Sequence, residues 1–284
     1  MPKINFTKMQ GCGNDFILLD NRERRWTAAQ KIAFTKKFAT RRLSVGADGV
    51  IFLENAPPAP ADNDAALSWD FYNADGSNAE MCGNGARCFT LFAVALGAAE
   101  SPFTFATRAG NIRAEISAPQ RARVQLPPAL APTLENLSVD GAALTGYFLN
   151  TGVPHLVVKV GDRDALEKVE VQTLGAALRY HERFAPAGTN VDFIAVQNGE
   201  TWVRTYERGV EAETLACGTG AVASAIIAGE KWGGNGKVHT RGGDRLNVEY
   251  QRAAAGYAAI FLEGPAVAVF DGAVEWDLEL KVES

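Results

Sequence analysis

Two short stretches of the chain nearly repeat each other: Met81-Cys82-Gly83-Asn84-Gly85-Ala86 and Ala216-Cys217-Gly218-Thr219-Gly220-Ala221. Each sets a cysteine and a Gly-x-Gly turn in front of an apolar run of helical length. A thiol acts as nucleophile or base only as thiolate, with a free pKa of about 8.5, and the positive end of a helix lowers that value. Backbone N–H groups at the same helix start can hold an anion. Two such corners point to one active site with two thiols. Held close, both would not ionise readily, so one thiolate and one thiol is the favoured state. That pairing suits removal of a proton from one face of a carbon and its replacement on the other, as at the α-carbon of an amino acid. The α-proton is very weakly acidic, so the carbanion must spread its charge into the carboxylate. The N–H groups of Gly83-Asn84 and Gly218-Thr219 are suited to receive it, each such donor being worth roughly 3–4 kcal/mol in enzymes that use one. Closure of two domains would strengthen these terms by excluding water.

Other chemistries fit less well. A single cysteine in apolar surroundings is usually inert packing, but two at equivalent corners are not explained that way. Zinc is disfavoured: Cys82 and Cys88 are six apart, there is no Cys-x-x-Cys, and His155, His181 and His239 have no paired spacing. Neither corner is Gly-x-Gly-x-x-Gly or carries Gly-Lys-Ser/Thr, so a phosphate loop is also weak. A dithiol redox protein is the alternative from another class; it predicts a working Cys82–Cys217 disulfide, whereas the acid–base reading makes such a bond an inactive oxidation product.

The repeat extends beyond the cysteines. Tyr72 and Tyr206, Cys82 and Cys217, and the Thr-Arg-x-Gly segments at Thr107 and Thr240 stand 133 to 135 residues apart, as in a duplicated unit. Each half reads as β-rich with one buried helix. Short apolar runs at 16–19, 49–53, 67–72, 103–107 and 112–116 predict strands in the first half, and those at 147–149, 156–160, 191–196, 201–206 and 246–250 in the second. The spacing of Ile32, Phe34 and Phe38 predicts a helix over 26–40. Runs at 85–96 and 220–228, apolar nearly all round and stopped by Gly97 and Gly229, predict wholly buried helices. Prolines at 57, 58 and 60 before Asp62-Asn63-Asp64 predict a polar loop. The prolines at 119, 127, 128 and 132 place the division between domains, 1–118 and 119–266; 259–262 and 267–270 again read as strands, and the tail 267–284 is a candidate to return to the first domain. The fold class expected is α/β (α+β), with two pseudo-symmetric domains.

Bulk properties bound the rest. With 47% hydrophobic and 21% charged residues, the 284-residue chain has an ordinary globular balance. A net charge of −5 without any Lys/Arg block argues against nucleic acid. No apolar run approaches about 18 residues, so no membrane span is expected. The start, Met1-Pro2-Lys3-Ile4-Asn5-Phe6, lacks a signal-peptide core. Four cysteines in such a chain are expected to be free thiols in a reducing compartment.

The chain resembles the diaminopimelate epimerases over nearly its whole length. The motifs are Gly11-Cys12-Gly13-Asn14-Asp15-Phe16, Val45-Gly46-Ala47-Asp48-Gly49, Tyr72-Asn73-Ala74-Asp75-Gly76-Ser77, Met81 to Cys88, Gly188-Thr189-Asn190-Val191-Asp192-Phe193, Tyr206-Glu207-Arg208-Gly209 and Leu215 to Gly220. The resemblance implies an epimerase that needs no cofactor or metal and interconverts LL- and meso-diaminopimelate in lysine and peptidoglycan precursor biosynthesis. It implies two similar domains, each a barrel-like mixed sheet around a central helix, with the site in the cleft between them, in a cytoplasmic homodimer. Carried over, Cys82 and Cys217 are the acid/base thiols. Gly83, Asn84, Gly218 and Thr219 hold the reacting carboxylate, and Asn14, Asn73, Asn190 and Arg208 hold the other polar groups. Arg208 suits a distal carboxylate, which a guanidinium grips with two parallel bonds. Glu207 and His155 correspond to residues that tune the thiols or meet the substrate amine; on residue type alone they would read as a surface pair and a core histidine. Cys88 is expected to be packing and Cys12 a spare thiol. The chain departs from many members at Val153, where Asn is common, at Gly49, where Gln is common, and at Glu211-Ala212-Glu213. A proline or hydroxyproline racemase, or a broader amino-acid racemase of the same architecture, is the alternative; those enzymes usually carry His at the place of Asn84.

Overall fold

Alternation of apolar and polar residues gives way, in the first half, to unbroken apolar runs such as Phe16-Ile17-Leu18-Leu19 and Val50-Ile51-Phe52-Leu53. All eight side chains are buried, which requires a sheet covered on both faces. The computed structural model, which describes residues 2–57, 65–79, 81–229 and 234–276, shows what covers them. The chain divides into two units: one runs to Val124 and resumes from Pro265, and the other is Gln125–Gly264.

The first unit contains β1 (Lys3–Gly11), β2 (Asn14–Asp20), α1 (Ala28–Phe38), β3 (Gly49–Asn55), β4 (Leu67–Asn73), α2 (Gly83–Ala95), β5 (Phe103–Thr107), β6 (Gly110–Ala118) and most of β7 (Arg121–Leu126). β1 pairs antiparallel with β2, β2 parallel with β3, β3 antiparallel with β4, β4 parallel with β5, β5 antiparallel with β6, and β6 antiparallel with β7. The outer edge of β1 is taken by the C-terminal strand Val267–Glu275. Helix α2 packs on β1, β2, β3 and β6, so the sheet wraps around it. Val50, Phe52, Ile17 and Leu19 point the other way and join Trp26, Phe34 and Phe38 in a core beneath α1. Thr27 starts α1 with a capping box shared with Gln30.

The second unit repeats this order. β8 (Ala129–Leu130) and β9 (Thr133–Val139) lead into β10 (Ala142–Asn150), β11 (Pro154–Lys159), α3 (Arg163–Glu167), α4 (Val171–Arg179), β12 (Asn190–Gln197), β13 (Glu200–Glu207), β14 (Ala212–Thr214), α5 (Gly218–Ala228), β15 (Asn235–His239), β16 (Arg245–Ala253) and β17 (Gly256–Pro265). From β10 the pairings run antiparallel, parallel, antiparallel, parallel, antiparallel, antiparallel through β11, β12, β13, β15, β16 and β17, the same series as β1 to β7. Helix α5 packs on β11, β12, β13, β15 and β16, and α3 and α4 cover the opposite face through Leu166, Val171 and Leu178. The duplication read from three landmark spacings is thus a duplication of strand order. The fold is a sheet-dominated α/β one, with two alike units.

Two readings shift. The chain divides at 124/125, whereas the prolines place the boundary at 118/119; Pro119 lies in the turn of the β6–β7 hairpin, which ties β7 to the first sheet. β1, β7, β9, β15, α3 and α4 carry no expectation above, because their apolar residues are sparse or interrupted by charge. The polar loop at 58–64 and the tail beyond Trp276 fall outside the described residues.

Candidate functional site

Cys82 is the residue that caps α2, with extended backbone (φ −145°, ψ 117°). Its sulfur accepts the Gly85 N–H at 3.4 Å and donates to Asn14 Oδ1 at 3.5 Å. Asn84 Nδ2 donates to the same oxygen at 3.3 Å. Asn14 in turn donates from Nδ2 to Asp48 Oδ2 at 2.7 Å. Behind them Arg87, fully buried in α2, donates to Asn84 Oδ1 at 2.8 Å, to the Gly83 carbonyl at 3.2 Å and to Cys12 Sγ at 3.3 Å. Cys12 and Gly13 form the two-residue turn between β1 and β2, both with positive φ (56° and 83°), as a hairpin turn of the I′ kind demands. Arg41 bridges Asp15 and Asp48, and Lys8 lies 2.8 Å from Asp15. Burial pushes the Asp15 carboxyl up, but the bonds from Arg41 and Lys8 outweigh it and hold the group below the usual carboxylate range. Alternating charges therefore fix the strand end that presents Asn14.

Cys217 caps α5 with nearly the same backbone (φ −116°, ψ 118°). Its sulfur lies 3.4 Å from Thr219 Oγ1. Thr219 Oγ1 is 2.9 Å from His155 Nε2, and His155 Nδ1 is 2.7 Å from Asp192 Oδ2. Thr205 donates to the other Asp192 oxygen at 2.7 Å. His155 and Asp192 are both fully buried. They meet because β11 and β12 run parallel with His155 opposite Asn190, and Asp192 is two residues on, on the same face. Burial first, then the charges of Glu207 and Asp192, pushes the Cys217 thiol well above its usual value; Thr219 and the Gly220 N–H act the other way. Burial likewise pushes the Cys88 thiol up, with Cys88 wholly enclosed in α2.

At the second glycines of the two corners, Gly220 leaves no room for a side chain and Gly85 leaves little. A Cβ on Gly220 would lie 2.4 Å from Asp192 Oδ1, and one on Gly85 would lie 3.1 Å from Ile51 Cδ1.

The remaining expected residues fall as follows. Asn190 is buried, accepting the Arg208 N–H at 2.8 Å through Oδ1 and donating to the Pro154 carbonyl at 2.9 Å. The Arg208 guanidinium is half-buried and reaches the Ala187 carbonyl at 3.4 Å; among the described residues no carboxylate pairs with it. Asn73 is exposed at the end of β4 and donates to Ser77 Oγ at 3.0 Å. Glu207 ends β13, next to Arg208 in sequence. Glu211 and Glu213 are taken by Arg179 and Arg204 at 3.1 and 2.7 Å, a framework role. At Gly49 a Cβ would come within 2.6 Å of the Phe71 ring, so no longer side chain fits there. Three residues given no role by sequence reasoning stand at the corners: Arg87, Asp48 and Asp192. Arg87 lies one turn after Asn84, and Asp192 shares the parity of Asn190, so helical and strand periodicity could have found both.

The sequence profile of diaminopimelate epimerase matches residues 6–129 and 147–269, covering both corners. The chain belongs to the diaminopimelate epimerase family. It is 42% identical to the diaminopimelate epimerase of Hydrogenobaculum over 283 residues, covering 96% of this chain and 99% of that one. The Aquifex aeolicus diaminopimelate epimerase is 43% identical over 280 residues, covering 95% and 97%. Among solved structures, a probable proline racemase from Agrobacterium radiobacter matches 98% of this chain and 94% of that one, with a TM-score of 0.71 at 16% identity. A hydroxyproline epimerase from Agrobacterium vitis matches 96% and 92%, with a TM-score of 0.71 at 15% identity. These two likenesses speak to the fold. As a member of the family the chain is an isomerase of the epimerase kind, acting on a small molecule. Among the described residues no helix is long and apolar enough to cross a membrane, and no group of three or more His, Cys, Asp or Glu is disposed to hold a metal ion.

Proposed function

We propose that the protein interconverts LL- and meso-diaminopimelate, with Cys82 and Cys217 as the two acid/base groups acting on opposite faces of one α-carbon. The observation that carries this reading is the twin corner: two cysteines, each capping a buried helix at the same step of a duplicated strand order, in a chain of this family. One sulfur as thiolate takes the α-proton and the other delivers its S–H proton to the opposite face; in the reverse direction the roles exchange. The backbone N–H groups of Gly83-Asn84 and Gly218-Thr219 take the charge that develops on the carboxylate. Asn14, Asn73 and Asn190 orient the ammonium and carboxylate groups, and Arg208 grips the distal carboxylate. His155 and Glu207 tune the thiols.

Burial and two neighbouring carboxylates favour the neutral thiol at Cys217. In this reading the substrate supplies the offset: its α-ammonium brings positive charge to that corner and makes the thiolate accessible only when there is a proton to remove. The product would serve lysine and peptidoglycan precursor synthesis. The reading extends to a cytoplasmic homodimer, which light scattering of the purified protein and fractionation of its source cells test.

The decisive experiment incubates the protein with LL-diaminopimelate in heavy water, with L-proline as control. α-Deuterium uptake and meso product together, absent in Cys82→Ala and Cys217→Ala variants of native circular dichroism, are expected. Full activity in either variant removes the two-thiol mechanism, and turnover of proline alone removes the substrate.

A further inference from the structure

Arg87 is a buried cation whose partners are all acceptors on nearby chain: the carbonyls of Pro265 and Gly83, Asn84 Oδ1 and Cys12 Sγ. A guanidinium has donors only. The Asn84 atom 2.8 Å from it is therefore the carbonyl oxygen, which leaves the Asn84 N–H₂ for Asn14, 3.3 Å away. The other end of the row has the opposite character. Asp48, paired with Arg41 at 2.7 Å, is a carboxylate and accepts only. The Asn14 atom 2.7 Å from it must be Nδ2, so Asn14 turns Oδ1 toward Asn84 and toward Cys82 Sγ. An amide can sit either way round on its own. Here a donor-only group at one end and an acceptor-only group at the other leave one orientation for both.

We propose that Arg87 and Asp48 are positioning residues: together they set the direction of the Asn84 and Asn14 amides and so present a carbonyl oxygen, and not an N–H, to the sulfur of Cys82. This rests on reading Cys82 as an acid/base group. A sulfur placed between that oxygen and the Gly85 N–H is satisfied as a thiol, donating to one and accepting from the other. As a thiolate it would face the oxygen's negative end. The row thus holds the proton on Cys82 and aims it, the state needed in the member of the pair that donates. Around it, Lys8, Asp15 and Arg41 bear on Asn14 and Asp48, and Cys12 and Cys88 lie on the Arg87 side. The Asp15–Arg41–Asp48 contacts balance these charges locally, leaving direction to the amides.

The test separates direction from charge by conserving charge in two variants. The rate at which iodoacetamide alkylates Cys82 at pH 8 is read by peptide mass spectrometry, with Cys217 as internal reference. Arg87→Lys keeps the positive charge but loses the fork that fixes Asn84. Asp48→Asn frees Asn14 to turn its N–H to the sulfur, and Asp48→Glu restores an acceptor-only partner. Arg87→Lys and Asp48→Asn are expected to raise Cys82 alkylation about threefold to tenfold, as a half to one unit fall in thiol pKa would. Cys217 should hold its rate, and Asp48→Glu should return Cys82 toward the unaltered value. Unchanged Cys82 reactivity in both Arg87→Lys and Asp48→Asn overturns the proposal, as does an Asp48→Glu rate equal to that of Asp48→Asn. If Arg87→Lys does not fold, the Asp48→Asn rise is read at about 0.05 and 1 M KCl: a rise that persists at high salt reports the amide direction, and one that salt abolishes reports charge alone and overturns the proposal. Alkylation does not depend on turnover. An active Cys82→Ala variant would therefore remove the catalytic reading while leaving the amide row to be judged on reactivity.

Discussion

Glu207 and Asp192 act on Cys217 through charge, with burial as the larger influence. The sign has a measurable consequence. A thiol whose pKa is raised stays protonated through neutral pH, so alkylation of Cys217 in the substrate-free protein should be slow at pH 7 and climb only above the usual thiol range. Removing the Glu207 charge stabilises the thiolate, so Glu207→Gln should move that climb to lower pH. A Glu207→Gln curve that overlays the unaltered one would show that the carboxylate does not bear on the sulfur. Arg208 makes a second case. Its guanidinium has no carboxylate partner among the described residues, and hydrogen bonds to a charged group are worth about 1.5–3 kcal/mol. Arg208→Ala should therefore raise KM for diaminopimelate about tenfold to a hundredfold with a smaller change in kcat, and an unaltered KM would refute the distal-carboxylate role. Which residues matter was partly legible. Cys82 and Cys217 stood out because the chain states them twice, whereas Asp192 is marked only by the strand parity it shares with Asn190, and Asp48 looks like any other aspartate until the fold shows what it touches.

Both cysteine corners sit at helix starts built under tight clearance. Gly220 brings α5 down onto Asp192, with no room for a methyl group. Gly220→Ala must displace either the helix start or the carboxylate that holds His155. Overpacking of this kind costs about 1–3 kcal/mol, so a fall of that size in chemical-denaturation stability is expected, together with loss of activity. Alkylation of Cys82 should be unaffected. Wild-type activity in Gly220→Ala would mean that the Asp192–His155–Thr219 row does not need its observed geometry. The two buried helices and the strands at 49–53 and 191–196 were readable from nearly unbroken apolar runs, and those at 67–72 and 103–107 from apolar residues alternating with polar ones. β1 was not: in Lys3–Gly11 the alternation around Ile4 and Phe6 breaks at Lys8–Met9, where the register shifts, and Lys8 is buried by pairing with Asp15, which local pattern cannot reveal.

At the scale of the molecule, the first unit is discontinuous in sequence. The strand Val267–Glu275 returns to β1, and Trp276 packs edge-on against Phe34 and Phe38, with ring centroids 5.9 and 5.7 Å apart. Removing a large buried aromatic costs about 3–5 kcal/mol. Trp276→Ala should lower stability by that order in urea denaturation, and a loss below about 1 kcal/mol would show that the returning segment adds little to that core. The same return delivers the Pro265 carbonyl to Arg87 Nε at 3.2 Å, so the C-terminal segment also supports the Cys82 corner.

The sequence by itself determined the twin cysteine corners, the twofold plan, the buried helices and the family, because these depend on residue type and spacing, which a chain carries along its own length. Only the tertiary structure decided that Asn14 meets Asp48 across 34 residues, that His155 meets Asp192 across 37, and that the chain's end completes its first unit. The reason is physical: strand order and register bring distant residues together, and a hydrogen bond or an ion pair exists only where two side chains meet in space.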